Sequence, residues 1–93
     1  MSSAVSVESA AVQGGIGCCK TAIQELQTAA QKLQQNYRKA GSGGWRDQQY
    51  ARLGGIVEEC SSALTKPISD LEACISNLQK LLSAIQDYSD VSL

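Results

Sequence analysis

The stretch that decides the fold is residues 41–47, which read Gly41-Ser42-Gly43-Gly44-Trp45-Arg46-Asp47. Three glycines within four residues disfavour a helix, because each glycine costs roughly 1 kcal/mol relative to alanine in a helix interior. Glycine also tolerates the positive φ angles at which helices commonly end. Long segments with heptad patterning lie on both sides of the stretch. We therefore predict a turn at residues 41–44, where the chain folds back on itself.

The segment before the turn has the repeat of an amphipathic helix. Its apolar positions advance in steps of four and three residues, as Val12, Ile16, Cys19, Ile23, Leu26, Ala30, Leu33 and Tyr37. This spacing places them along one face of an α-helix. Small residues at Gly15, Ala22 and Ala29 flank this face and would allow another helix to approach closely. We predict helix 1 at about residues 9–40, with Gly41 as a left-handed cap after it.

The segment after the turn continues the same repeat for longer. We predict helix 2 at about residues 45–89, with Asp47 in its first turn. Its apolar seam reads Tyr50, Leu53, Val57, Cys60, Leu64, Pro67, Leu71, Cys74, Leu78, Leu81, Ile85 and Tyr88. Pro67 removes one helical hydrogen bond and crowds the carbonyl four residues earlier. Because the heptad phase passes through Pro67 unchanged, a kink near this residue is favoured over the end of the helix.

The apolar face of helix 2 widens after Pro67. Its residues form two neighbouring lines, and we assign them to a dimer interface: Ile68, Leu71, Ile75, Leu78, Leu82 and Ile85. A stripe this wide needs contact with more than one helix. We therefore predict an all-α fold with one domain over residues 1–93, an antiparallel helical hairpin that associates into a four-helix bundle dimer.

Composition and charge agree with this class of protein. The chain is rich in Ala, Gln, Ser and Leu, has no Phe and one Pro, and so favours helices over strands. Residues 1–46 carry five Lys or Arg against two acids, and residues 47–93 carry seven acids against three Lys or Arg. Opposite charge on the two halves favours antiparallel pairing. The cations are spread too widely for a nucleic-acid interface.

The chain lacks the apolar segments that direct a protein into or across a membrane. It has no run near the ~20 apolar residues needed for a membrane span, and no basic region followed by an apolar region near its first residue. We therefore expect either a cytoplasmic protein or one exported by a route that does not use a signal peptide.

The residue types for catalysis and metal binding are scarce. The chain has no His, so it has no Ser-His or Cys-His pair, and we expect no enzymatic activity, no cofactor and no metal. Cys60 and Cys74 would lie ~21 Å apart along one helix and cannot bridge each other. Cys18 or Cys19 lies nearly opposite Cys74 in a symmetric hairpin. Small buried thiols are the favoured interpretation, and a cross-helix disulfide is the alternative.

Two heptad helices joined by a glycine-rich turn, with Trp45 opening the second helix, resemble the WXG-motif superfamily of type VII secretion proteins. The turn motif would be Gly43, Gly44, Trp45 and Asp47, and the run from Trp45 to Leu53 also resembles members with a variant third motif position. Two features depart from the family pattern. Asp47 stands where the motif has Gly, and Ser92 stands four residues after Tyr88, where the family has an acid.

The resemblance implies a small non-enzymatic protein that is exported folded, as a substrate or as the helical partner of one. Its partners would be a second copy, a related helical hairpin or a larger type VII toxin, together with the secretion ATPase, which would read the turn and the tail of the opposite subunit jointly. Trp45 would pack over the end of the hairpin, contact the secretion machinery, or do both. The alternatives are a cytoplasmic coiled-coil adaptor and a type III needle-like subunit, although the turn of such subunits typically contains proline.

Overall fold

The computed structural model describes the backbone of residues 2–91 and the side chains of residues 7–88. This part of the chain is helical and contains no strand, which confirms the all-α class. The three helices are α1 (Ser2–Ser42), α2 (Gln48–Ala63) and α3 (Thr65–Val91). None of them is long and apolar enough to cross a membrane.

The first helix is longer than the sequence pattern indicated. It begins at Ser2 rather than near residue 9, and it ends at Ser42 rather than near residue 40. Residues 2–13 contain neither Gly nor Pro, so nothing in this run prevents the helix from extending toward the N-terminus. The turn correspondingly occupies residues 43–47, not residues 41–44.

The predicted second helix is divided into α2 and α3 by a single residue. Leu64 keeps right-handed helical backbone angles, with φ −79° and ψ −16°, but its N–H donates to the Ser61 carbonyl at 3.3 Å, three residues back. The α-helical pattern resumes where the Ile68 N–H donates to the Leu64 carbonyl at 3.1 Å. Pro67 has no N–H to offer Ala63, which is the physical reason for an interruption at this point.

Contacts group the described residues into two units. The first unit combines α1 up to Ile23 with α3 from Asp70 onward. A Cβ added at Gly15 would lie 3.5 Å from Leu78 Cδ1, so Leu78 packs directly against the backbone of α1. Ile16 and Cys19 are buried on the same face of α1. Burial raises the pKa of the Cys19 thiol and the neighbouring Cys74 thiol raises it further. Cys19 follows Gly15 in α1 while Cys74 precedes Leu78 in α3, which is the order expected of an antiparallel helix pair.

The second unit spans residues 24–69 and contains the turn. Here α1 and α2 form a helical hairpin, in which Val57 of α2 is buried. Farther from the turn, the Gln34 side chain donates a hydrogen bond of 3.4 Å to the Ser61 hydroxyl. Nearer the turn, Tyr37 of α1 stacks on Tyr50 of α2. These contacts fix an antiparallel register between the two helices.

The buried core of the described chain is small. Among residues 7–88, the buried hydrophobic side chains are Ile16, Cys19 and Val57. The seam predicted for helix 1 agrees with this burial, since its members from Val12 to Ala30 are buried or half-buried. Several large apolar side chains stay exposed, namely Val7, Leu33, Trp45, Ile56, Leu81 and Tyr88.

Candidate functional site

The turn between α1 and α2 begins with a hydrogen-bonded cap on α1. The Ser42 hydroxyl donates to the Lys39 carbonyl at 2.8 Å. The N–H groups of Gly43 and Gly44 donate to the carbonyls of residues 40 and 41, at 3.3 and 3.1 Å. Gly44 has a φ of 96°, which an L side chain rarely adopts. Gly43 and Gly44, two of the four predicted motif residues, therefore satisfy the last carbonyls of α1 and reverse the chain.

Asp47 is the N-cap of α2. Its carboxylate accepts hydrogen bonds from the Gln49 N–H at 2.9 Å and the Tyr50 N–H at 3.1 Å. These two donors belong to the first turn of the helix, where no backbone carbonyl is available to them. The helix consequently begins at Gln48, and Trp45 and Asp47 lie before it rather than inside its first turn.

Tyr37, Gly41, Tyr50 and Gly54 form what we call the tyrosine–glycine cluster. The Tyr37 and Tyr50 rings stack with centroids 4.4 Å apart and planes 7° from parallel. The Tyr50 ring lies over Gly41, where a Cβ would collide with its hydroxyl and lie 2.6 Å from Cζ. The Tyr37 ring lies in the same way over Gly54. Thus α1 and α2 each place a tyrosine ring on a glycine of the other helix. The rings can stack because glycine has no Cβ that would collide with them.

The Tyr50 hydroxyl also donates a hydrogen bond of 3.3 Å to the backbone carbonyl of Tyr37. The pKa of Tyr37 lies above its ordinary value of 10.0, first because of its hydrogen-bonding contact with Tyr50 and second because of burial. The positive charge of Arg46 lowers the pKa of Tyr37 and so opposes these two effects. The protonated, neutral form of Tyr37 is therefore the one that the packed hairpin favours.

Trp45 and Arg46 extend the cluster toward solvent. The Trp45 ring lies 5.4 Å from the Tyr50 ring, tilted by 57°, and Trp45 remains 40 % exposed. The Arg46 guanidinium carbon lies 5.9 Å from the centroid of the same Tyr50 ring. We call Trp45, Arg46 and Tyr50 the aromatic tip. Trp45 packs against Tyr50 and still offers much of its ring to another molecule.

The structure corrects the prediction for Gly41. This residue is not a left-handed cap, since it lies inside α1 and is buried, and the positive φ occurs at Gly44. Gly41 is required for a different reason, namely the close approach of Tyr50. The sequence did carry a signal for the cluster, because each helix has a Tyr followed by a Gly four residues later, at residues 37 and 41 and at residues 50 and 54.

The residues predicted for the dimer interface lie on one face of α3. All six are half-buried in the single chain: Ile68, Leu71, Ile75, Leu78, Leu82 and Ile85. Leu78 has a contact within its own chain, with Gly15. The flanking line predicted as part of the seam, Cys74, Leu81 and Tyr88, is exposed instead. The dimer itself stays a prediction.

The described residues offer no assembled metal centre. They contain no group of three or more His, Cys, Asp or Glu side chains placed to hold an ion. The four cysteines are free thiols, of which Cys19 is buried and Cys18, Cys60 and Cys74 are exposed. The turn brings together two stacked tyrosine rings, a capping carboxylate and a guanidinium group.

Comparison of this chain with protein-family models, with curated proteins and with solved structures finds no match. The geometry of the aromatic tip and of the helices consequently carries the functional interpretation.

Proposed function

We propose that this chain is a small non-enzymatic helical protein of the type VII secretion kind, which is exported folded and acts by binding another helical hairpin. In this proposal the aromatic tip is the surface that the export machinery recognises. The cell interior is the site of synthesis, and the destination is outside the cell. The resemblance of the turn to the WXG motif supports this function, together with the arrangement of the tip.

The observation that carries the proposal is that Trp45 lies against the Tyr50 ring and is nevertheless partly exposed to solvent. Trp, Tyr and Arg are the residues most enriched among side chains that dominate the energy of protein interfaces. Here Tyr50 is held by stacking and by its hydrogen bond, and Trp45 and Arg46 rest near its ring. A partner therefore meets side chains that are already positioned, and it loses less conformational entropy on binding them.

Asp47 is compatible with this proposal although the family motif has Gly at the same position. Its side chain turns back to the N–H groups of residues 49 and 50, so it satisfies the start of α2 and leaves Trp45 accessible. Aspartate and glycine are both accepted at an N-cap, and aspartate is the better of the two.

The small core supports association with a second helical hairpin. Few hydrophobic side chains are buried among residues 7–88, so this 93-residue chain gains much by covering its exposed apolar residues. We propose that the line from Ile68 to Ile85 is the centre of that interface, in a four-helix bundle with a second copy or a related chain. The half-buried state of these six residues leaves apolar area that a partner can cover.

Export is tested with Trp45→Ala and Trp45→Phe in a host that carries a type VII ATPase. We expect Trp45→Ala to remove the protein from the culture supernatant while its helical circular dichroism and cytoplasmic level stay unchanged. Trp45→Phe keeps an aromatic ring on Tyr50 and should retain most of the export. Normal export of Trp45→Ala, or export that does not depend on the ATPase, would refute the role of the tip. Retention of the wild-type chain in the cytoplasm would favour the coiled-coil adaptor.

Association is tested by light scattering and by the melting temperature at several protein concentrations. A dimer has twice the mass of the chain, and its melting temperature rises with concentration. Ile75→Glu places a charge on the proposed interface and should give a monomer. Gln79→Glu adds the same charge at an exposed position of the same helix and should leave the dimer intact. An unchanged mass for Ile75→Glu would exclude this interface.

A further inference from the structure

Two thiols on different helices of the first unit lie across from each other. Cys19 belongs to α1 and is buried, whereas Cys74 belongs to α3 and is exposed. Each of the two cysteines lies one helical turn from the place where Leu78 packs against the backbone of α1 at Gly15. Among the four cysteines, this pair therefore combines proximity with one sulfur that solvent can reach.

The packing of Gly15 and Leu78 supports the same pairing independently of any titration. A Cβ at Gly15 would lie 3.5 Å from Leu78 Cδ1, which marks a point where the backbone of α1 comes close to α3. Cys19 lies four residues after Gly15, and Cys74 lies four residues before Leu78. In an antiparallel pair, one helical turn along each helix from this contact brings the two cysteines together. The absence of a side chain at Gly15 allows the close helix approach that a short cross-link needs.

We propose that Cys19 and Cys74 form a dithiol–disulfide pair that ties α1 to α3 when the chain meets an oxidising low-molecular-weight disulfide, and that opens again in a reducing medium. The neighbouring Cys18 is the natural comparison, because it is exposed and adjacent in sequence but points about 100° away around the helix. Cys60 lies in the other unit and has no part in the pair.

The oxidation proceeds in two exchange steps, with glutathione disulfide as the oxidant. The exposed Cys74, as thiolate, attacks one sulfur of glutathione disulfide, and one glutathione leaves as its thiolate. The Cys19 thiolate then attacks the Cys74 sulfur of the mixed disulfide, and the second glutathione leaves. The two cysteines lose two protons and two electrons in total, and one glutathione disulfide becomes two glutathione molecules.

The chemistry of Cys19 suits the second step better than the first. Burial raises the pKa of the Cys19 thiol above its ordinary value of 9.0, and contact with Cys74 raises it further. A buried thiol with a raised pKa is a poor first attacker on a dissolved oxidant, because only the thiolate is nucleophilic. It can still resolve a mixed disulfide that forms beside it on Cys74.

The test uses the full chain with pairs of cysteines removed, because each of the two relevant tryptic peptides contains two cysteines. The variant Cys18→Ser/Cys60→Ser keeps the proposed pair, and Cys19→Ser/Cys60→Ser keeps Cys18 and Cys74 as the matched control. Both are equilibrated with glutathione disulfide, quenched by alkylation and analysed by mass spectrometry and non-reducing gels. The control also reports whether any nearby exposed thiol can replace Cys19.

We expect Cys18→Ser/Cys60→Ser to form the cross-link within one chain, which then migrates as a single chain on non-reducing gels and is lighter by about 2 Da, and dithiothreitol should reverse this. Its melting temperature should rise by on the order of 10–20 °C, since the cross-link restrains the unfolded chain. The control should instead take up one glutathione on each thiol or form dimers between chains. A control that closes equally well, or a proposed pair that forms only mixed disulfides and intermolecular dimers, would overturn the assignment.

Discussion

Gly54→Ala tests the tyrosine–glycine cluster most directly, because α2 provides its own control at the next residue. Gly54 and Gly55 both lie inside the same helix, so replacing either with alanine gains the same helix propensity, about 1 kcal/mol. Their surroundings differ. A Cβ at Gly54 would collide with the Tyr37 hydroxyl and lie 2.8 Å from Cζ, whereas a Cβ at Gly55 meets nothing within 4 Å.

The expected change in unfolding free energy follows from the packing and stacking contacts that Tyr37 loses in Gly54→Ala. Forcing a methyl group into a packed contact costs about 1–3 kcal/mol, and displacing the ring from Tyr50 loses about 0.5–1.5 kcal/mol of stacking. After the gain in helix propensity, Gly54→Ala is expected to lower the free energy of unfolding by about 1–3 kcal/mol. Gly55→Ala should raise it by roughly 0.5–1 kcal/mol. The two variants should therefore differ by about 1.5–4 kcal/mol.

Urea unfolding followed by circular dichroism at one protein concentration measures this difference, and near-ultraviolet spectra report the environment of the tyrosine rings. Tyr37→Phe removes the atom closest to the added methyl group. The cost of Gly54→Ala should therefore be smaller by about 1 kcal/mol in the Tyr37→Phe background than in the wild type. Equal stabilisation by Gly54→Ala and Gly55→Ala would refute the close contact between Tyr37 and Gly54.

Three further predictions concern the turn and its titration. Asp47→Ala should lower the unfolding free energy by about 0.5–2 kcal/mol and Asp47→Asn by much less, as measured by thermal unfolding, because asparagine retains a capping oxygen. Gly44→Ala should be destabilising by about 1–2 kcal/mol owing to its positive φ, whereas Gly43→Ala, where φ is not positive, should cost less in the same assay. Because the folded-state pKa of Tyr37 is raised, its contribution to stability is complete below pH 10 and is lost as the pH rises through the folded value. Tyr37→Phe should flatten this alkaline loss in urea titrations, and an equally steep loss in that variant would contradict it.

The heptad spacing was sufficient to predict which face of α1 is buried. Steps of four and three residues place Val12, Ile16 and Cys19 on one stripe, and the structure buries or half-buries each of them. This succeeds because helical periodicity is a local property of the chain, and α1 has one clear apolar stripe. The all-α class and a chain reversal at the glycine-rich stretch followed from equally local preferences.

Helix α3 shows where local pattern was not enough. Its apolar residues form three adjacent lines, and the sequence assigned Cys74, Leu81 and Tyr88 to the seam within the chain. The structure leaves these three exposed and half-buries the line of Ile68, Ile75 and Leu82 together with Leu71, Leu78 and Ile85. When a stripe is wider than one neighbour can cover, only the rotation and register of the packed helices determine which side faces inward.

For the turn, too, the sequence predicts some features and the packing of the helices decides the others. The sequence by itself determined that the helices would be interrupted within the glycine-rich stretch, because glycine is unfavourable inside a helix and suits its end. Only the tertiary structure decided that Gly41 remains helical and receives Tyr50, that Gly54 receives Tyr37, and that Asp47 caps α2 while Trp45 stays partly exposed. These outcomes depend on how two helices meet across the turn, since a glycine in a packed contact and a glycine in a cap are identical in the sequence.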